Sequence, residues 1–187
     1  SFAVAGSVIS LGVARWDGSA WSAMGNPALN GSVYALAVSR GAVYVGGFFT
    51  TAGGSSANNV ARWDGTNWSA LGSGLGNGVF ALAADDGGVY AGGAFTNAGG
   101  VAARYITRWD GTNWSALGSG TQSWVETLAM RGPDLLAGGG FTAAGNHLAN
   151  CFSIWHTGSA SIPRIVHFQP GGPDNWISFT TVPGQVY

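Results

Sequence analysis

The 187-residue sequence contains one cysteine, no lysine and very little charge of either sign. Asp, Glu and Arg make up 8% of the residues, whereas charged residues make up about 25% of ordinary soluble proteins. The net charge is −1 and no basic cluster occurs, which argues against a nucleic-acid partner. No apolar run reaches the roughly 18–20 residues that cross a bilayer, so we predict no membrane span. Cys151 cannot form an internal disulfide, and its apolar surroundings predict a buried side chain.

Motifs for catalysis and cofactor binding are also missing. His147, His156 and His167 are not spaced as metal ligands, and Cys151 has no cysteine partner. The Gly-x-Ser-x-Gly elbow of serine hydrolases does not occur, and the absence of lysine excludes a phosphate-binding loop of the usual type. The sequence therefore predicts no metal and no other cofactor, and it favours a non-enzymatic protein.

The dominant feature of the chain is a repeat. The segment VARWDGTNWSALG at residues 60–72 recurs almost unchanged at 13–25 and at 106–118, and a degenerate copy begins at Phe152. A fixed period of this size is typical of propellers and solenoids. Four tryptophans mark the copies at intervals of 47, 46 and 46 residues: Trp16, Trp63, Trp109 and Trp155.

Each period has the pattern of four short antiparallel strands. In one copy, residues 79–84 are apolar and aromatic, residues 85–88 form an Asp- and Gly-rich turn, and residues 89–93 return. A Gly- and Ala-rich connection leads to two further strands at 106–110 and 114–117. No helical periodicity occurs. Because four such strands make one propeller blade, we predict an all-β fold, a partial β-propeller of about three complete blades plus part of another.

Three glycine doublets recur at the end of the second strand of the repeat. A doublet at this place predicts a close approach of two backbones, where any side chain would clash. The aromatic and leucine positions are predicted to be buried between neighbouring blades. The doublets are Gly46-Gly47, Gly92-Gly93 and Gly138-Gly139.

The repeats occupy residues 1–160, and the pattern stops after Gly158. We expect residues 161–187 to begin a second β-rich module or to form a cap. Residues 2–6 align with residues 49–53, so we expect the chain to be part of a longer parent that begins before this repeat. Propellers typically have about 4–8 blades, so three do not close a ring. The expected partners are the remaining blades of the parent or copies of this chain.

An Arg-Trp-Asp step occurs in three of the copies. Arg and Asp stand two residues apart, so their side chains share one face of a strand. They could form a ring of ligand-binding pairs, or they could link neighbouring strands and fix the Asp-Gly turn. We favour the structural role because a feature that every blade repeats usually serves the blade. The residues are Arg15, Trp16, Asp17, Arg62, Trp63, Asp64, Arg108, Trp109 and Asp110.

Candidate ligand-binding residues stand where the repeat is broken. Glu126 is the only glutamate, and it replaces Tyr34 and Phe80 on the strand expected to line a central channel. Arg104 replaces an asparagine just before a strand. His156 replaces the repeated aspartate, either as part of a site or because the last blade has degenerated.

Carbohydrate binding is an alternative function, since the repeat contains the aromatic, Asn, Asp and Arg residues that sugars contact. Trp68 and Trp114 are the candidates for stacking on a sugar, unless they are buried between blades. An enzyme that takes catalytic residues from other blades is a third alternative.

The order of these motifs resembles the kelch repeat: an apolar strand, a strand ending in Gly-Gly, a long loop, an aromatic–Asp step and a later Trp. Where kelch repeats usually have Tyr-Asp, this chain has Trp63-Asp64 and Trp109-Asp110. The combination of Ala-Arg-Trp-Asp-Gly with Gly-Gly-x-Phe-Thr-x-Ala-Gly looks more like the repeats of large secreted bacterial surface proteins. The resemblance implies a propeller, a secreted or cell-surface location, and glycans or other surface proteins as partners.

Overall fold

The computed structural model describes residues 3–157 and the backbone of residues 165–166. Within these ranges the protein is all-β and contains no helix, so no described helix is long and apolar enough to cross a membrane. The predicted C-terminal module at 161–187 lies outside the described residues, apart from one short strand.

The strands are short, and all of their pairings are antiparallel. The first part of the chain contains β1 (Val4–Ala5), β2 (Val8–Ile9), β3 (Ala14–Trp16) and β4 (Trp21–Ala23). The next repeat contains β5 (Ser32–Ser39), β6 (Ala42–Phe48), β7 (Thr51–Ala52), β8 (Ser55–Ser56), β9 (Val60–Trp63) and β10 (Trp68–Ala70). The third contains β11 (Val79–Asp85), β12 (Gly88–Gly93), β13 (Asn97–Ala98), β14 (Val101–Ala102), β15 (Ile106–Trp109) and β16 (Trp114–Ala116). The last contains β17 (Val125–Arg131), β18 (Asp134–Gly139), β19 (Ala143–Ala144), β20 (His147–Leu148), β21 (Phe152–His156) and β22 (Ile165–Val166).

The repeats form four-stranded sheets, and in the first two sheets all four strands come from the predicted repeat, whereas the fourth strand of the last sheet, β22, comes from the segment 161–187 that was predicted to begin a second module or cap. Sheet I has the order β5-β6-β9-β10, sheet II the order β11-β12-β15-β16, and sheet III the order β17-β18-β21-β22. The Gly- and Ala-rich connections were predicted as loops, but each contains a small hairpin: β7–β8, β13–β14 or β19–β20. Each hairpin is bridged to the segment that precedes the first strand of its own sheet.

The three sheets pack face to face with their first strands side by side. Strand β11 contacts β5 on one side and β17 on the other. One apolar core lies between sheets I and II and another between sheets II and III, each lined by the Trp, Tyr, Phe and Leu positions of the repeat. The described sheets do not form a closed ring.

The glycine doublets allow this close packing. A Cβ atom on Gly46 would lie 2.5 Å from Val79 Cγ1 of the neighbouring sheet, and one on Gly92 would lie 2.5 Å from Val125 Cγ1. The second glycine of each doublet faces its own sheet's first strand, where a Cβ would overlap a backbone carbonyl. The predicted close approach of two backbones is therefore confirmed for the second glycine of each doublet, whereas the first glycine meets a side chain: a valine of the neighbouring sheet at Gly46 and Gly92, and Thr127 of its own sheet at Gly138.

Alanine at Gly92 should therefore weaken the fold. Overpacking of a tight contact costs about 1–3 kcal/mol. We therefore expect Gly92→Ala to lower the free energy of unfolding by at least about 1 kcal/mol. Gly76→Ala is the matched control, because its Cβ would meet nothing closer than 3.5 Å. Urea unfolding compares the two variants. Equal stabilities would contradict the clash.

One position of the repeat keeps a left-handed backbone whatever residue occupies it. Asn59, Tyr105 and Cys151 have φ angles of 63°, 65° and 63°, and Gly12 at the same position has 77°. The carbonyls of the three non-glycine residues accept a 3.0 Å hydrogen bond from the second glycine of each doublet. The neighbouring strand thus fixes the conformation. The Cys151 side chain is exposed, so the prediction that it is buried is wrong.

Cys151→Asn should stabilise the protein by about 1 kcal/mol, because asparagine tolerates the left-handed region better than other non-glycine residues. Cys151→Val should destabilise it, since a β-branched residue is strained at positive φ. The exposed side chain packs against little, so backbone conformation dominates both effects. Urea unfolding of the two variants provides the measurement, and the opposite order of stabilities would refute the explanation.

The first strand of sheet I has an uncovered face. Leu36 is 55% exposed, whereas Leu82 at the same position of sheet II is 7% exposed and packs on sheet I. The hairpin β3–β4 belongs to the preceding repeat, and Val13 and Met24 around it share a core with the inner residues of sheet I. Residues 3–31 provide no four-stranded sheet before sheet I, so no strand within the described part of the chain covers Leu36.

Candidate functional site

The repeated aspartates hold the turns between the third and fourth strands. Asp64 Oδ1 accepts hydrogen bonds from the backbone N–H groups of Thr66 and Asn67, at 2.8 and 2.7 Å. Asp17 and Asp110 make the same pair of bonds in their own turns. These bonds stabilise the carboxylate form, and they lower the pKa of all three aspartates. The contacts support the structural interpretation of the repeated step.

The repeated arginines make no ion pair with these aspartates in the described part of the chain. Arg108 Nη2 instead donates a 2.6 Å hydrogen bond to the Gly87 carbonyl, and its guanidinium lies 6.0 Å from the centroid of the Tyr90 ring. Arg108 therefore connects the third strand of sheet II to the turn between its first two strands.

The two tryptophans predicted to stack on sugars are used in packing. Trp114 is 6% exposed, and its Nε1–H donates a 2.8 Å hydrogen bond to the Leu71 carbonyl. The Trp68 indole is partly buried and donates a 2.6 Å bond to the Met24 carbonyl. Both bonds tie a sheet to the preceding repeat. The burial of Trp114 leaves it no free ring face for a sugar, whereas the partly buried Trp68 keeps part of its indole accessible.

The acid titration of Asp17 tests the turn geometry. Its pKa is lowered to about 2 by the backbone N–H groups of Ala20 and Ser19, and the Ser19 hydroxyl donates a further 2.9 Å bond. A lowered pKa means that these bonds stabilise the fold above the usual value near 3.9 and are lost as the pH falls through the folded value. Carboxyl-carbon NMR should show this, and Ser19→Ala should raise the pKa. Titration of Asp17 at an ordinary pKa would contradict the geometry.

Glu126, Tyr34 and Phe80 occupy equivalent β-bulges. The pairing of each first strand with the second shifts register at this residue, between Val33 and Ala35 in sheet I and at the corresponding place in sheets II and III. A bulge leaves one residue outside the ladder and re-aims its side chain. Tyr34 and Glu126 are exposed and Phe80 is partly exposed, so the three bulges present a row of side chains to solvent.

Four rings form a contact cluster at this row, which we call the aromatic row: Tyr34, Phe48, Phe80 and Trp124. Neighbouring ring centroids are 5.9–6.2 Å apart, and interplanar angles run from 51° to 84°. Three of the rings are strongly exposed, at 56% for Tyr34, 43% for Phe48 and 51% for Trp124. The cluster crosses from sheet I to sheet III, and Trp124 lies two residues before Glu126.

Large and small residues alternate where the aromatic row crosses between sheets. The Phe48 ring covers Gly78, where a Cβ would overlap the ring. At the next crossing the positions are reversed, because Ala94 replaces the phenylalanine and Trp124 replaces the glycine. Each crossing therefore carries one large ring. Sequence reasoning identified Glu126 but missed Phe48 and Trp124, although both are positions where the copies differ.

The remaining candidate residues do not join this cluster by hydrogen bond or ion pair. Arg104 is exposed, and its backbone carbonyl accepts a 3.1 Å bond from Thr121. His156 Nδ1 contacts Asp134, whose other oxygen lies 3.1 Å from Arg131. His147 is exposed on β20. Among the described residues, no group of His, Cys, Asp and Glu is arranged to hold a metal ion.

Comparison with known proteins does not assign a family. No protein-family model matches the chain, and no curated protein matches it. The chain is similar to the crystal structure of the computationally designed Ika8 protein, with 19% sequence identity and a TM-score of 0.29. That match covers 74% of this chain and 50% of the designed one, so the chain spans half the length of the structure it matches. A TM-score of this size does not establish a common fold.

Proposed function

We propose that the chain is a non-enzymatic structural and interaction module, built as part of a kelch-like β-propeller. The observation that carries this proposal is the repeated side-by-side packing of β5, β11 and β17, each the first strand of a four-stranded sheet. The sequence resemblance to repeats of large secreted bacterial surface proteins favours a secreted or cell-surface parent. The repeated polar residues serve turns and packing, which supports a structural rather than a catalytic role for the repeat.

The uncovered face of β5 indicates what the module binds to. Leu82 Cδ1 lies 3.3 Å from the position of a Cβ on Gly46, and Leu128 Cδ1 lies 3.4 Å from that position on Gly92. Leu36 is the equivalent leucine on β5, but it faces solvent. We infer that it packs on the glycine doublet of a further repeat, which is supplied by the parent chain or by another copy.

The association state of the 187-residue chain tests this function. An apolar sheet face and a net charge near zero favour association, so we expect light scattering to show species larger than a monomer. Leu36→Ser should reduce this association without lowering the melting temperature, because the side chain is already exposed.

Two control variants complete the test. Leu148→Ser removes another strongly exposed leucine, on β20, and should leave association unchanged. Leu82→Ser should instead destabilise the fold, since Leu82 is buried between sheets I and II. A wild-type chain that is a monodisperse monomer at all concentrations would refute the proposed packing of Leu36.

A further inference from the structure

The aromatic row is an exposed apolar cluster that neither core explains. The large rings of the two cores between the sheets are mostly buried, whereas Tyr34, Phe48 and Trp124 each leave roughly half of their surface in water. Water contact at a contiguous apolar patch is unfavourable, and such patches mark interaction sites. Aromatic residues are also the residues that most often dominate binding energy at interfaces.

Glu126 places a negative charge at one end of this cluster. It stands at the third bulge, in line with Tyr34 and Phe80, and it lies two residues after Trp124. No described residue forms a hydrogen bond or ion pair with its carboxylate. Arg131 lies at the far end of the same strand, where it contacts Asp134. Among residues 3–157, therefore, no cation forms an ion pair with Glu126.

Ring orientation indicates the chemistry of the ligand. The rings are tilted by 51° to 84° from one another, so they do not form the flat platform on which an extended sugar chain would stack. The faces of aromatic rings carry partial negative charge and attract Arg and Lys side chains. A carboxylate beside such faces is also negative and therefore attracts the same cationic side chains.

We propose that the aromatic row and Glu126 bind a cationic side chain, arginine or lysine, that a protein partner presents. This inference names a partner for the interaction module proposed above. The row and the Leu36 face share β5, because Tyr34 lies two residues before Leu36 on that strand. Peptide binding is therefore also measured with Leu36→Ser, so that a failure of self-association and a failure of peptide binding are distinguished.

The binding test uses the full chain and a blocked peptide with two arginines separated by glycine. Its control peptide carries citrulline, which has nearly the same shape without the charge. We expect the arginine peptide to shift the Trp124 indole N–H resonance at millimolar concentration. The citrulline peptide should bind about three- to fivefold more weakly, which is the size of an exposed cation–π contribution. Added salt should weaken only the arginine complex.

Two variants locate the site. Glu126→Gln keeps the shape of an exposed side chain and should weaken arginine-peptide binding about twofold, the size of an exposed ion pair, with the melting temperature unchanged. Trp124→Gly introduces the residue that the previous repeat has at this position and should weaken binding further, as read from the ring resonances of Tyr34 and Phe80 because this variant lacks the Trp124 indole. Trp16→Gly is the matched control, because Trp16 is also 51% exposed but lies on β3. It should leave binding unchanged, as read from the Trp124 resonance.

Three outcomes would overturn the proposal. Equal affinity for the arginine and citrulline peptides would exclude a cation site. Binding of cellohexaose at the Trp124 resonance, unaffected by Glu126→Gln, would make the row a sugar-binding surface instead. No shift of Trp124 with either peptide at millimolar concentration would show that the row does not bind exposed cationic side chains.

Discussion

The structure depends on one contact, in which the leucine and valine of one sheet lie directly on a glycine of the next. Glycine removes the side chain that would separate the sheets, so the two faces approach within van der Waals distance. Both faces of sheet II are covered in this way. Residues on these covered faces are apolar, which accounts for part of the low content of charged residues, 8% of the chain.

Much of this arrangement could be predicted from the sequence, because the repeat supplies several aligned copies of each structural position. The four strands of each sheet follow from the repeated apolar segments and turns. The importance of the glycine doublets follows from their recurrence, as at Gly46 and Gly92. The small hairpins inside the connections could not be predicted, since Gly- and Ala-rich segments carry no alternation of apolar and polar residues. The left-handed backbone at Cys151 was also hidden, because a neighbouring strand imposes it and the residue type does not favour it.

The candidate site was predictable only in part. Glu126 differs from its counterparts, and that difference identified it. Its aromatic neighbours were missed because Phe48 ends one strand and Trp124 precedes another, and only the packing of three sheets brings them together. The burial of Trp114 could not be predicted for a related reason. Residue type suggests that an indole can stack on a sugar. Whether its ring is exposed depends on tertiary packing, here on the hydrogen bonds that each indole N–H donates to the Leu71 or Met24 carbonyl of the preceding repeat.

The indole hydrogen bonds between repeats have a consequence for folding. Trp114 bonds to a carbonyl 43 residues earlier, and Trp68 to one 44 residues earlier, within segments that are almost identical in sequence. Each tryptophan therefore meets a nearly equivalent acceptor in more than one repeat while the chain is still unfolded. Repeat proteins are prone to such misassembly. Refolding must therefore discriminate between copies through the positions that differ from one repeat to the next.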